Sequence, residues 1–182
     1  TGLSDGTFSG GWTHDGSGAK PNGSNGYFLT GYAIDDTSLN SVTFGVNIKE
    51  SYNALYPEGA QGSGFGDVVM YPRYLGLTYS RLKNTIYDTV TNSTSVGMML
   101  MTRISGTEYK VFRESTLLAT HTVGSSTGGT LELYEGCVNN GGSAIQYGTG
   151  KRTVSLYGDG LTPTQVGDIA TAAAALDTTL NR

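Results

Sequence analysis

The chain has 182 residues, enough for one domain with a sizeable core, and no stretch reads as a linker between two. Its 28 Gly, its 12 Tyr against 5 Phe and 1 Trp, and its 14% charged residues give a polar, weakly ionised surface of the kind common on extracellular and virion proteins. The net charge is −4 and the 11 Lys and Arg are spread thinly, which disfavours nucleic acid as a partner because phosphate binding needs a concentrated positive field.

The longest apolar run, "VGMMLM", is far too short to span a bilayer, so no membrane insertion is expected. The chain opens on Thr1 in a polar stretch with no signal-peptide pattern, and reads as a processed chain or an excised domain. Cys137 is the single cysteine, which rules out an intrachain disulfide and a thiolate metal cage. Its expected role is that of a small buried residue.

Residues 1–25 are dense in turn formers without clear periodicity and are expected to form an irregular N-terminal arm, with Phe8 and Trp12 as anchors. Residues 26–182 are expected to form the sandwich domain. "GYFLTGYAI" (26–34) is rich in β-forming residues. In "SVTFGVNIK" (41–49), Val42, Phe44, Val46 and Ile48 fall on one face and Thr43, Gly45 and Asn47 on the other. That period of two predicts a half-buried strand with one wet side.

"ALYPEGA", the loop "QGSGFG", and the strands "DVVMYPRYL" and "LTYSRL" follow. "SVGMMLMTRI" (95–104) is apolar on both faces, as in a central strand covered on each side. "EYKVF" and "TLLATHT" predict a hairpin across Arg113–Ser115, although the favoured Asn-Gly or Asp-Gly turn is absent. "TLELYEG", "AIQYG" and "RTVSLYG" complete a series of ten or more short strands spaced as in a sandwich or barrel.

A helix is predicted over about 162–180. Thr162 serves as N-cap, Pro163 suits the first helical position, and Gln165 completes a capping box. Val166, Ile169, Ala170, Ala173, Leu176 and Leu180 recur at helical spacing, so the helix should pack back on the body, over an edge or open end of the sandwich.

Catalytic motifs fail on context. "GLSDG" (2–6) fits a nucleophile elbow but lacks the flanking strand and helix. "GTGKR" (148–152) departs from the phosphate-loop pattern, and "GSGFG" (62–66) from the dinucleotide pattern. Glu132 and Glu135, the best acid pair for glycan hydrolysis, are three apart and so face opposite sides of a strand; the adjacent Asp35 and Asp36 share that defect. No catalytic residue and no cofactor is therefore expected. A structural calcium ion held through Asp5, Asp15 or Asp159 is the one metal the sequence leaves open, without an EF-hand pattern. Aromatic faces with neighbouring amides in loops suit sugar rings, which singles out Tyr52, Asn53, Asn139 and Asn140 as candidate glycan contacts.

Several segments, in order, carry a resemblance: "NGSNGYFLTGYAI", "SLNSVTFGVNIKES", "ALYPEGA", "SVGMMLMTRI", "EYKVFRESTLLA" and "KRTVSLYGDGLTPTQVGDIATAAAAL". Together they resemble the concanavalin A/laminin-G-like jelly-roll domains near the C-termini of phage tail, fibre and other virion surface proteins, with related modules in some bacterial surface proteins. The resemblance covers roughly residues 20–182, and Gly158–Thr162 before the closing helix is its most specific part. Glu114–Ser115 departs from the usual polar-Gly hairpin turn, and no shared binding motif exists from which ligand residues could be carried over.

The resemblance implies an all-β, two-sheet antiparallel jelly-roll sandwich with a short C-terminal helix. It also implies a non-enzymatic domain on a virion surface, assembled with other virion subunits as a homo-oligomer and contacting host surface polysaccharide. The alternatives are a secreted bacterial carbohydrate-binding module or glycan-active enzyme on the same fold, and a particle protein with no ligand.

Overall fold

In the computed structural model, which describes residues 6–62 and 66–180, sixteen strands and one α-helix follow in order. The first half holds β1 (Thr7–Ser9), β2 (Trp12–Asp15), β3 (Gly18–Pro21), β4 (Tyr27–Ala33), β5 (Val42–Ile48), β6 (Glu58–Gln61), β7 (Asp67–Tyr74) and β8 (Leu77–Asn84). The second holds β9 (Asp88–Thr91), β10 (Gly97–Arg103), β11 (Tyr109–Arg113), β12 (Thr116–His121), β13 (Glu132–Glu135), β14 (Val138–Asn140), β15 (Ser143–Ile145), β16 (Arg152–Gly158) and helix α1 (Pro163–Thr179).

The strands form two sheets. Sheet A has the order β1-β4-β13-β6-β7-β8-β9, with the β14–β15 hairpin attached where β14 runs parallel to β6. Sheet B has the order β12-β11-β10-β5-β16-β3-β2 and is antiparallel throughout. The expected jelly-roll sandwich with a closing helix is the architecture found.

The core between the sheets follows from the alternation of each strand. Phe44, Val46 and Ile48 of β5 and Met99 and Met101 of β10 meet Val68 and Met70 of β7 and Leu82 of β8. Full burial of such side chains stabilises the fold by roughly 1.5–3 kcal/mol each. At the far end of β10 the buried Arg103 guanidinium donates to the carbonyls of Leu82, Ser105 and Val123, tying the two sheets together.

Four expectations need correction. Residues 7–21 are not irregular: the dense turn formers there separate three short strands, one in sheet A and two in sheet B. The second face of β5 is not wet, because α1 lies over it. The helix covers the outer face of sheet B, not an edge: Val166 packs on Met98, Leu100 and Phe112, while Asp177 accepts from Asn47 Nδ2 at 2.8 Å and Lys49 Nζ at 2.9 Å. Gly45 leaves the space that Met98 and Leu100 fill on that side. Finally, Asn139–Asn140 belongs to a strand, β14, and the following Gly141–Gly142, both at positive φ, make a two-residue hairpin turn.

Other expectations hold in detail. β10 is covered on both faces, Met99 and Met101 inward and Met98 and Leu100 under the helix. Thr162 caps α1: its N–H donates to Gln165 Oε1 at 2.9 Å and its hydroxyl accepts from Gln165 N at 3.4 Å. The β11–β12 hairpin forms without the favoured turn residues because Glu114 adopts a left-handed φ of 53°. Its carboxylate holds that conformation by accepting from Met98 N at 3.0 Å. "GLSDG" and "GSGFG" fall mostly outside the described residues.

Candidate functional site

α1 covers sheet B, whereas no helix among the described residues lies over the outer face of sheet A. The period of two in β7 and β8 decides what that face presents. Val68 and Met70 point to the core, so Asp67, Val69 and Tyr71 point out; Leu82 points in, so Tyr79 and Arg81 point out. The register pairs Tyr71 with Tyr79 and Val69 with Arg81. Tyr87, just before β9, joins this face, as does Ile145 at the end of β15.

The result is an open groove of about 460 Å³, lined by Gln61, Asp67, Tyr71, Arg81, Tyr87, Asn140 and Gln146, among others. Its side chains position one another. Tyr71 donates to Gln146 Oε1 and Tyr87 to Gln61 Oε1, each at 3.0 Å, and Gln61 Nε2 reaches Asn140 Oδ1 at 3.4 Å. Arg81 is ion-paired with Asp67 and stacks on the Tyr87 ring, its guanidinium carbon 3.6 Å from the ring centroid. Gln146 is held at a left-handed φ of 57°, an uncommon conformation for a residue other than glycine and one that concentrates at functional sites.

Electrostatically the groove is close to neutral, since Asp67 and Arg81 balance. Burial raises the Asp67 carboxyl, against the pull of the Gly62 N–H and of Arg81. Burial, aided by the Tyr71 hydroxyl, pushes the Tyr87 phenol well above its ordinary value, so it stays a neutral donor. Arg81 Nε is buried without a hydrogen-bond partner among the described residues. Tyr71 is buried with Val69 and Val138, so the half-buried Tyr87 ring, the amide groups and the balanced ion pair are what the groove offers to an apolar ring face and to hydroxyls.

Of the four residues singled out in the sequence, the groove takes one, Asn140. Tyr52 turns inward against Tyr56, with ring centroids 5.4 Å apart, and its hydroxyl is buried. Asn53 accepts from Gly76 N at 3.0 Å and so braces the β7–β8 turn. Asn139 is buried, donating to the Glu132 carbonyl and accepting from Gly142 N, each at 2.8 Å. Among the calcium candidates, Asp15 is engaged with Ser17 and Lys151, and Asp5 lies outside the described residues. No group of three or more His, Cys, Asp or Glu that could hold a metal occurs among the described residues.

The sequence reading missed a second constellation, between the sheets. Arg152 of β16 lies across from Glu58 of β6, Nη2 to Oε1 at 2.8 Å, and both are almost wholly buried. Glu58 Oε2 also accepts from Gly136 N at 2.6 Å. Glu135 turns inward and accepts from the Tyr157 hydroxyl, whereas Glu132 accepts from Gly31 N; the two acids of "LELYEG" are thus separated as their spacing implies. Burial pushes the Glu58 carboxyl up to about 7, against the pull of Arg152. Cys137 is buried nearby, and burial together with Glu58 pushes its thiol up to about 12, which leaves it an unreactive packing residue.

No family model matches the chain, and no curated protein matches it in sequence. Solved structures do match in fold. Domain 4 of AbnA, a GH43 extracellular arabinanase from Geobacillus stearothermophilus, in complex with arabinotriose, is similar with a TM-score of 0.62 at 17% identity, covering 92% of this chain and 89% of that one. The CBM40 of the Ruminococcus gnavus IT-sialidase is similar with a TM-score of 0.51 at 14% identity, covering 89% of this chain and 97% of that one. At these identities the likeness establishes the jelly-roll fold.

Proposed function

We propose that this chain is a non-catalytic carbohydrate-binding domain that lays a neutral glycan along the tyrosine-lined groove of sheet A. The carrying observation is the groove beside the β14–β15 hairpin, where the half-buried Tyr87 and the buried Tyr71 are pinned by Gln61 and Gln146 next to the Asp67–Arg81 pair. Sugar rings present an apolar C–H face and a rim of hydroxyls, and this face offers aromatic surface and planar polar groups for both. The fold likeness to an arabinanase domain solved with arabinotriose and to a sialidase CBM40 supports the reading.

A non-enzymatic role is favoured by the state of the inward-facing acids. Glu58 is fully buried and Glu135 nearly so, and each is engaged by Arg152, Gly136 or Tyr157, so neither stands free beside a solvent-borne glycosidic bond. We take the setting to be a virion surface, where such a domain within a homo-oligomer would hold host polysaccharide. A secreted bacterial carbohydrate-binding module would use the same groove chemistry.

A glycan array paired with a reducing-end assay tests this. The expected result is retention of one class of neutral polysaccharide without turnover. Release of reducing ends by the purified chain would overturn the non-catalytic reading, and an array with no retained glycan would overturn the binding reading.

A further inference from the structure

A second cavity, of about 440 Å³, opens between the sheets where β1 and β4 approach β3 and β16. Phe8, Trp12, Phe28 and Tyr32 supply aromatic walls, and Glu135, Arg152 and Tyr157 contribute the polar groups. The size lies within the range of small-ligand pockets, roughly 300–1,000 Å³.

The aromatic side is built rather than incidental. Trp12 Nε1 donates to the carbonyls of Ser9 at 3.1 Å and Tyr27 at 3.2 Å, which fixes the indole and satisfies its one polar atom. Phe8 packs edge-on to Trp12 with ring centroids 4.9 Å apart, yet remains 49% exposed.

The polar side is incomplete. Arg152 is only 4% exposed, and its Nε, Nη1 and Nη2 make no hydrogen bond among the described residues; the contact with Glu58 is one of charge, outside hydrogen-bond geometry. Buried donors of this kind call for an acceptor. A carboxylate is a poor occupant, because the carboxyl groups of Glu58, 2.8 Å from the guanidinium, and of Glu135 already flank the site. A hydroxyl suits both neighbours: its lone pairs accept from Arg152 while its proton goes to Glu135.

We infer that this crevice is a second binding site, for a single neutral sugar ring, whose C–H face lies on Trp12 and Phe28 and whose hydroxyls bridge Arg152 and Glu135. It is separate from the sheet A groove and does not depend on that groove binding anything.

Trp12 is the single tryptophan of the chain, so intrinsic tryptophan fluorescence reports on this crevice and not on the groove. Titration with L-arabinose, D-xylose, D-glucose and D-galactose, with D-glucuronate as the charged control, is the test. A saturable change with at least one neutral sugar and weaker binding of glucuronate are expected. Phe8→Ala, at a half-exposed wall of the crevice, should lose about fivefold in affinity and Tyr87→Ala none. The indole N–H resonance of the unaltered chain, which should shift with the same saturation, gives a readout independent of any variant. No saturable change with any neutral sugar would overturn the inference, as would equal affinity for glucuronate.

Discussion

Replacing Glu58 by Gln should flatten the pH dependence of stability between about 4.5 and 7. In the folded protein burial raises this carboxyl from 4.5 to about 7, so over that window the native state holds a proton that the unfolded chain has released. Stability attributable to Glu58 is therefore fully present below pH 4.5 and is lost as pH rises toward 7. A shift of that size corresponds to about 3 kcal/mol, at a limiting slope of about 1.4 kcal/mol per pH unit. Asp67, also raised by burial, contributes with the same sign, and His121, lowered by burial, with the opposite sign. Both remain in the variant, so the difference between the two proteins isolates Glu58. Urea unfolding at several pH values from 4.5 to 7.5 measures it. Gln matches the protonated acid in size and charge, so the two proteins should agree most closely near pH 4.5, and the variant's curve should be the flatter. Parallel curves for the two proteins would refute the reasoning, since the strain of the buried acid would then lie elsewhere.

Two further substitutions probe the helix and the groove. Thr162→Ala removes the cap of α1 and should cost about 1 kcal/mol in urea unfolding, while Gln165→Ala, the reciprocal half of the box, should cost less. Gln146→Gly relieves the left-handed backbone and should leave the melting temperature unchanged or raised, while weakening glycan binding by freeing the Tyr71 hydroxyl. A loss of stability with intact binding would contradict the role assigned to Gln146.

Much of the fold was legible because single strands declare their buried face. Phe44, Val46 and Ile48 announce the core side of β5, and the Thr162–Gln165 box announces the helix. What escaped was whatever depends on a distant segment. The second face of β5 reads as wet because Thr43, Gly45 and Asn47 are polar or small; only the helix more than a hundred residues later, with Asp177 on Asn47 and Lys49, makes it interior. The N-terminal strands escaped because three or four residues give no measurable period, and their pairing comes from β4 and β16.

The binding residues followed the same pattern. Tyr52, Asn53 and Asn139 stand in turn-rich sequence, but each is committed to holding a neighbouring turn or the interior. The groove is instead written in alternation, Asp67, Val69 and Tyr71 on β7 against Tyr79 and Arg81 on β8, a signal present in the sequence and readable only once the inward set is known. Glu58 and Arg152 lie 94 positions apart, and no local pattern links them.

The central claim is that the tyrosine groove of sheet A binds glycan, and Tyr87→Ala tests it most directly. The substitution removes the ring under Arg81 and the donor to Gln61 without touching the core between the sheets. Calorimetric titration of the oligosaccharide retained best on the array should show at least a tenfold loss of affinity, worth about 1.4 kcal/mol, in a variant that still unfolds cooperatively. An affinity unchanged from that of the unaltered chain would contradict the account.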